Sequence, residues 1–370
     1  MKVLVAPLDW GLGHATRCMP VVREFLRQGA QVELAVVKSN ARLLREVFPD
    51  VRQRLAPSYN VVYPKHGFNM AAWLLKNGAH LNKVIRFEHE YAEKMVLRHH
   101  YDVVFSDNRF GFYSANAKSI YMTHQRRIAF PQALSAFETV GVLWHASMVK
   151  HFDEIWVPDQ EQSPGFAGRL SHVSWKSEKV KFVGTLSRFS DLNQSVGGSV
   201  FDKGVSQKFN YVAVVSGVEP ARSRFEELLR QTFLKIPGKH AIIQGRPSVG
   251  IKTWSSGNIQ FFTHLSDVDF ADVVKNSNWV VSRGGYSTIM DMACLGARCV
   301  FVPTPGQYEQ VALAEELSQN KLAIHIPEKI FGKDSLLGAT KSMDLVRPLK
   351  RPDTEGDAML EKAVAEILNH

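Results

Sequence analysis

The stretch Met1-Lys2-Val3-Leu4-Val5-Ala6-Pro7-Leu8-Asp9-Trp10-Gly11-Leu12-Gly13-His14-Ala15-Thr16-Arg17 decides the fold. Val3 to Ala6 is a short, wholly apolar run, the signature of a buried strand. Two glycines, Gly11 and Gly13, follow it and lead into a helix over Ala15 to Gln28, where Val21, Val22, Phe25 and Leu26 fall at helical spacing. Gly29 stops that helix as a C-terminal cap would. Strand, glycine turn and helix in immediate succession begin a parallel α/β unit. Asp9 and the glycines also break the segment too early for the long apolar stretch of a secretory leader.

The same rhythm continues outward. Gln31 to Val37 reads as the next strand, Phe68 to His100 as one or two helices, and Asp102 to Ser106, Ser119 to Thr123 and Glu154 to Val157 as further strands. Asp191 to Ser206 (DLNQSVGGSVFDKGVS) is polar and glycine-rich, the best linker. Beyond it the alternation restarts, with strands at Tyr211 to Val215, Ala241 to Gln244, Ile259 to Phe262, Trp279 to Ser282 and Cys299 to Val302. Helices are expected from about Arg222 to Lys235, Asp267 to Asn276, Tyr286 to Leu295, Glu309 to Asn320 and Asp357 to Ile367. The expectation is an α/β chain of two doubly wound, Rossmann-like domains, 1–190 and 191–350. A C-terminal helix, 351–370, would pack back on the first.

Composition bounds the function. At 370 residues, with 45% hydrophobic and 22% charged residues, the chain is globular rather than fibrous or disordered. No apolar run approaches the roughly 18 residues of a membrane helix. Three cysteines, Cys18, Cys294 and Cys299, lack metal-site spacing and cannot all pair, which points to a reducing cytosol. Forty-five basic against 36 acidic residues give a net charge of +9, which favours an anionic partner. No nucleic-acid motif accompanies that charge, so no nucleic acid is expected.

In doubly wound sheets, ligands bind beyond the carboxyl ends of the strands, so the loops there carry the chemistry. Gly11-Leu12-Gly13-His14 lets backbone approach a ligand closely, and a histidine at a helix N-terminus is kept neutral by the dipole, as a general base needs. Neither a third glycine nor an acid after strand two completes a dinucleotide fingerprint. Ser216-Gly217 can hold a diphosphate by hydroxyl and N–H. Ser282-Arg283-Gly284-Gly285-Tyr286-Ser287-Thr288 again permits close approach, and Asp291, one turn beyond Ser287, could accept both hydroxyls of a ribose. Gln307 and Gln310, in Pro303-Thr304-Pro305-Gly306-Gln307-Tyr308-Glu309-Gln310, could bind sugar hydroxyls. Asp107 ends one strand as an alternative base, His124 follows another, and Arg188 stands near the domain junction where a phosphate or base edge would sit.

Together these loops resemble the nucleotide-sugar glycosyltransferases of family 28, which include the lipid II-forming N-acetylglucosaminyl transferase and the plant galactolipid synthases. The match is strongest from Ser282 to Leu317 and covers most of the chain. The resemblance implies the GT-B fold, two Rossmann-like domains facing a cleft, with the donor, a UDP-sugar in first place, on the C-terminal one. By that likeness Asp291 would bind ribose, and Ser216, Thr288 and the backbone of Gly284 and Gly285 would line the diphosphate, with Gly217 and Ser287 also on the donor side. Gln310, with Gln307 or Glu309 beside it, would touch the donor sugar; Thr263 and His264 would meet the uracil edge, and Arg188 the nucleotide. Gly11, Gly13, His14, Arg17 and His124 would fall on the acceptor side. The pattern departs at Leu313-Ala314, where the family has Asn-Ala, and at His124-Gln125-Arg126-Arg127, where it has His-Glu-Gln-Asn.

The expected reaction is inverting, metal-independent transfer of a sugar to an acceptor hydroxyl, with His14 as first base and Asp107 as second. No cofactor is expected beyond the nucleotide-sugar co-substrate. Phe68, Met70, Trp73, Leu74 and Leu75, flanked by Lys65 and Lys76, would form either core or a membrane-contact patch, and Ala133 to Val149 is similarly apolar. The chain is expected in the cytoplasm, either free or, if the patch contacts anionic lipid, at the inner face of the membrane, with a nucleotide sugar and a sugar, lipid-linked or other hydroxyl acceptor as partners. Two rivals are a UDP-sugar 2-epimerase and a non-catalytic nucleotide or polyanion binder.

Overall fold

A computed structural model describes residues 1–59, 70–130, 138–173, 177–191, 208–246, 249–341, 345–351 and 355–369, without the side chains of 39, 70–77, 79 and 355–357. The chain forms two compact units. One is made of Met1–Val62, Asn69–Ser187 and Pro352–His370, and the other chiefly of Arg188–Arg351. Most of the linker read at Asp191 to Ser206 lies outside the described residues, as do Lys65, Phe68, the start of Ala133 to Val149 and the side chains of Met70, Trp73, Leu74, Leu75 and Lys76.

In the N-terminal unit the strands are β1 (Lys2–Pro7), β2 (Gln31–Val36), β3 (Arg52–Leu55), β4 (Val103–Asp107), β5 (Lys118–Met122), β6 (Glu154–Val157) and β7 (Val180–Phe182). All pair in parallel, in the order β3-β2-β1-β4-β5-β6-β7. Helices α1 (Leu12–Arg27), α2 (Lys38–Val47), α3 (Met70–His99) and α4 (Glu138–Val149) connect them. Strands buried on both faces explain the unbroken apolar runs, such as Val3, Leu4, Val5 and Ala6, all fully buried. The segment read as one or two helices is a single 30-residue helix, α3.

The C-terminal unit repeats the plan with β8 (Phe209–Val214), β9 (His240–Ile243), β10 (Thr253–Ser256), β11 (Ile259–Phe262), β12 (Ser277–Ser282), β13 (Cys299–Phe301) and β14 (Ala323–His325). Their order is β10-β11-β9-β8-β12-β13-β14, parallel except for the β10–β11 pair. Helices α5 (Ala221–Phe233), α6 (Asp267–Lys275), α7 (Tyr286–Leu295), α8 (Tyr308–Gln319) and α9 (Lys333–Thr340) cover this sheet. Its core gathers Phe225, Leu229, Phe233, Trp279, Val281, Val300 and Leu336.

The last helix, α10 (Glu355–Leu368), returns to the N-terminal unit. Arg27 of α1 pairs with Glu361 at 2.9 Å, Lys181 of β7 with Glu366 at 2.8 Å, and Gln28 donates to the Glu361 carbonyl. Leu360, Ala363, Val364 and Ile367 are buried, so the helix contributes apolar surface as well as charge.

Both sheets reverse direction at one place. From β1 the chain winds outward through β2 and β3, and from β4 through β5 to β7; β8 and β12 stand in the same relation. The carboxyl ends of β1 and β4, and of β8 and β12, are therefore switch points, where loops diverge and leave a crevice. No helix among the described residues is long and apolar enough to cross a membrane.

Candidate active site

The N-terminal switch point brings His14, Arg17, Asp107 and His124 together. Gly11, in the left-handed region with φ +88°, turns the chain out of β1 and caps α1 without a side chain. His14 then stands in the first turn of α1, and Arg17, three residues on, shares its face. Parallel pairing sets Asp107, the last residue of β4, level with Pro7 of β1. The Asp107 carboxylate meets His14 Nδ1 at 2.9 Å through Oδ2. Its Oδ1 accepts from Arg17 Nε at 2.8 Å and also from Arg17 NH2. His124, just past β5, places its Nδ1 3.1 Å from Arg17 NH1.

These contacts fix the chemistry of the imidazole. His14 Nδ1 lies within 2.8 Å of Arg17 NH2 as well, but one nitrogen cannot both accept there and donate to the carboxylate. Arg17 already saturates Oδ1, so the buried Oδ2 is satisfied by the tautomer carrying its proton on Nδ1. That tautomer leaves Nε2 with a lone pair. Burial, then the Arg17 guanidinium, hold the His14 pKa below its usual 6.5 against the opposing pull of Asp107. For Asp107, burial would raise the pKa, but Arg17 and then His14 outweigh it and keep the carboxyl below the ordinary range. A neutral base backed by a fixed carboxylate can take a proton from a hydroxyl and have its new charge stabilised.

Sequence reading treats His14 and Asp107 as rival bases; the geometry joins them, with Asp107 fully buried and His14 16% exposed at its side chain. Arg17, expected on the acceptor side, is buried as the clamp of this pair. A second buried network carries no motif in the sequence. Arg109 donates to Glu88 at 2.7 Å and to the carbonyl of Pro7 at 3.3 Å, while Tyr59 donates to Glu88 at 2.5 Å. It ties the end of β1 to α3, and the polar run Asp107-Asn108-Arg109 after an apolar strand was its signal.

The C-terminal switch point holds the expected donor loops. Ser216, half-buried, and Gly217, exposed at φ +106°, follow β8. After β12, α7 begins at Gly285 with no side-chain cap and no acid in its first turn, and open space surrounds the place a Gly285 Cβ would occupy. The first N–H groups of α7 and the half-buried Ser287 and Thr288 thus form a terminus suited to negative charge. Gly284 is packed instead, its missing Cβ 3.4 Å from the Gln310 carbonyl. Arg283 anchors the loop from beneath: it donates to the Val302 carbonyl at 2.9 Å, pairs with Glu328 at 2.5 Å and lies 3.8 Å over the Phe225 ring.

Arg188 and Asp291 meet here. Arg188 Nε lies 3.5 Å from Asp291 and NH1 3.3 Å from Asp267, with the guanidinium over Phe189 and Phe270. The two carboxamides are engaged with one another: Gln310 accepts from the Thr304 N–H at 2.8 Å and donates to Gln307 at 2.9 Å. Glu309 stands beside them in the first turn of α8. Thr263, past β11, spends its hydroxyl on the Gly250 carbonyl and its N–H on Lys252, while His264 is half-buried beside it. Among the described residues no group of three or more His, Cys, Asp and Glu could hold a metal ion.

Residues 183–369 match the glycosyltransferase family 28 C-terminal domain, and the chain belongs to that family. Along its whole length it is 22% identical to an uncharacterized glycosyltransferase of Methanosarcina mazei, covering 98% of that protein. An uncharacterized glycosyltransferase of Methanopyrus kandleri is 30% identical over 100 residues, 26% of this chain and 29% of that one. Among solved structures, spinosyn rhamnosyltransferase SpnG superposes with a TM-score of 0.64 at 14% identity, covering 100% of this chain and 96% of that one. MurG of Acinetobacter baumannii gives 0.55 at 13% identity, covering 100% and 99%. The fold is GT-B, and the protein is a glycosyltransferase.

Proposed function

We propose that this glycosyltransferase moves a sugar, with inversion and without a metal, from a pyrimidine nucleoside diphosphate sugar, UDP-sugar in first place, to an acceptor hydroxyl. The observation that carries the reading is the His14–Asp107 pair, a neutral imidazole oriented by a buried carboxylate. His14 Nε2 takes the acceptor proton as the hydroxyl oxygen attacks the anomeric carbon; the bond to the diphosphate breaks, and the nucleoside diphosphate leaves with the electron pair. Charge growing on the diphosphate is met by the N–H groups at the start of α7 and by Ser216 and Gly217. Asp291 takes the ribose, Gln307 and Gln310 the sugar, and His264 the base, since the Thr263 hydroxyl and N–H are already engaged within the fold. The solved relatives include SpnG with thymidine diphosphate and VinC with dTDP, which supports a pyrimidine diphosphate and makes dTDP-sugars the first alternative donor.

Thermal protection by UDP, dTDP and GDP, followed by turnover with the matching sugars with and without EDTA, tests the reading. We expect UDP to raise Tm most and turnover to survive EDTA. His14→Ala should keep the nucleotide-induced shift while losing about 10²–10⁴-fold in kcat. Wild-type turnover in that variant removes His14 as the base, and sugar conversion without any acceptor favours an epimerase.

A further inference from the structure

A cavity lies within the N-terminal unit, lined by none of the His14 cluster. It measures about 230 Å³ and runs between α4 and the strands β6 and β7. Val142, Ala146 and Val149, at i, i+4 and i+7, give it one face of α4, and Ile155 and Val180 give it the sheet. Val142 and Ala146 are only half-buried, so among the described residues this apolar face is left partly open.

The charged groups in its wall are all basic. Arg126, Lys150 and Lys179 line it, and no carboxylate appears among the lining residues. Lys179 donates to the carbonyls of Lys150 at 3.2 Å and Phe152 at 2.8 Å, holding its charge where α4 ends. His145 also lines the cavity. It is 6% exposed, and its Nε2 is buried with no hydrogen-bond partner among the described residues. Burial, and then Arg126, push its pKa down to about 4, so it is neutral and offers an uncharged polar atom beside a guanidinium. An unsatisfied buried polar atom costs stability unless a ligand or water completes it.

We propose that this groove binds a single-chain anionic amphiphile, its carboxylate or phosphate head at Arg126 and His145 and its hydrocarbon along Val149, Ala146, Ile155 and Val180. The volume falls below the roughly 300–1,000 Å³ of pockets for drug-sized ligands, which suits one short chain rather than a ring system. The charged side chains of the wall, all basic, select the anion, and Ala146, Val149, Ile155 and Val180 take the chain. This site is independent of the donor reading and stands whichever nucleotide sugar the enzyme uses.

The test is titration of the full-length protein with decanoate, decyl phosphate and decanol, read by calorimetry and by Tm. Decanoate and decyl phosphate should bind and raise Tm, with decanol at least about tenfold weaker for lack of the charge-assisted contact. Ala146→Phe, which fills the groove, should abolish binding while the nucleotide-induced Tm shift persists. Arg126→Gln should weaken the anions about tenfold and leave decanol unchanged. Equal binding of decanol and decanoate, undiminished binding to Ala146→Phe, no binding of any free amphiphile, or binding only to anionic vesicles would each overturn the proposal.

Discussion

At the scale of single residues, the pair His14–Asp107 sets the behaviour in acid. The His14 pKa lies below 6.5 in the folded chain, so the unfolded chain binds more protons there, and stability falls as pH drops through 6.5 toward the folded value. Activity that needs the neutral imidazole should show an acid limb of kcat/KM below 6.5. Asp107→Asn removes the charge that lifts His14, so the limb should move to lower pH while kcat drops. The same change strips Arg17, 2% exposed, of its counter-charge. A urea titration should then show a loss of about 3–5 kcal/mol, the usual cost of an uncompensated buried charge. An unchanged pH profile would mean that the carboxylate does not act through the imidazole.

At the scale of elements, close approaches separate packing from binding. A Cβ on Gly111 would stand 2.1 Å from the Ile85 carbonyl of α3, a backbone atom that cannot step aside. Gly111→Ala should therefore destabilise the N-terminal unit by more than about 3 kcal/mol, visible as a lowered Tm. Gly285, with φ −72° and open space around it, should accept alanine within about 0.5 kcal/mol. Because the added methyl enters the space before the α7 N–H groups, the KM for the donor should rise while Tm holds. A KM equal to wild type would take the diphosphate away from this terminus.

Such elements differ in how plainly the sequence announces them. The turn from β1 into α1 is legible because the apolar period changes from a continuous run to every third or fourth residue across Gly11 and Gly13. Strand β3, Arg-Gln-Arg-Leu at the sheet edge, and β10, Thr-Trp-Ser-Ser with every residue exposed, carry no such pattern. Burial on one side only, or on none, leaves nothing for a period to report. The glycine and serine loops were readable for the same local reason. The contact between His14 and Asp107 was not, since 93 residues separate them and only the neighbouring of β1 and β4, past β2 and β3, brings them together.

At the scale of the whole molecule, the two units should report separately on damage to α10. Its buried Leu360, Val364 and Ile367, with the ion pairs from Glu361 and Glu366, belong to the N-terminal unit alone. Removal of residues 355–370 should lower the calorimetric transition of that unit and leave the nucleotide-protected transition in place. Equal loss in both transitions would show that the units unfold as one.

The interleaved course of the chain, in which Arg188–Arg351 intervenes between most of the N-terminal unit and its final helix, has a consequence for biosynthesis. Domains ordinarily mature from the amino end as they leave the ribosome. Here nearly all of the later-made unit is one continuous stretch that can acquire its structure before the earlier one is complete, since the α1 surface stays uncovered until translation delivers Glu355–Leu368.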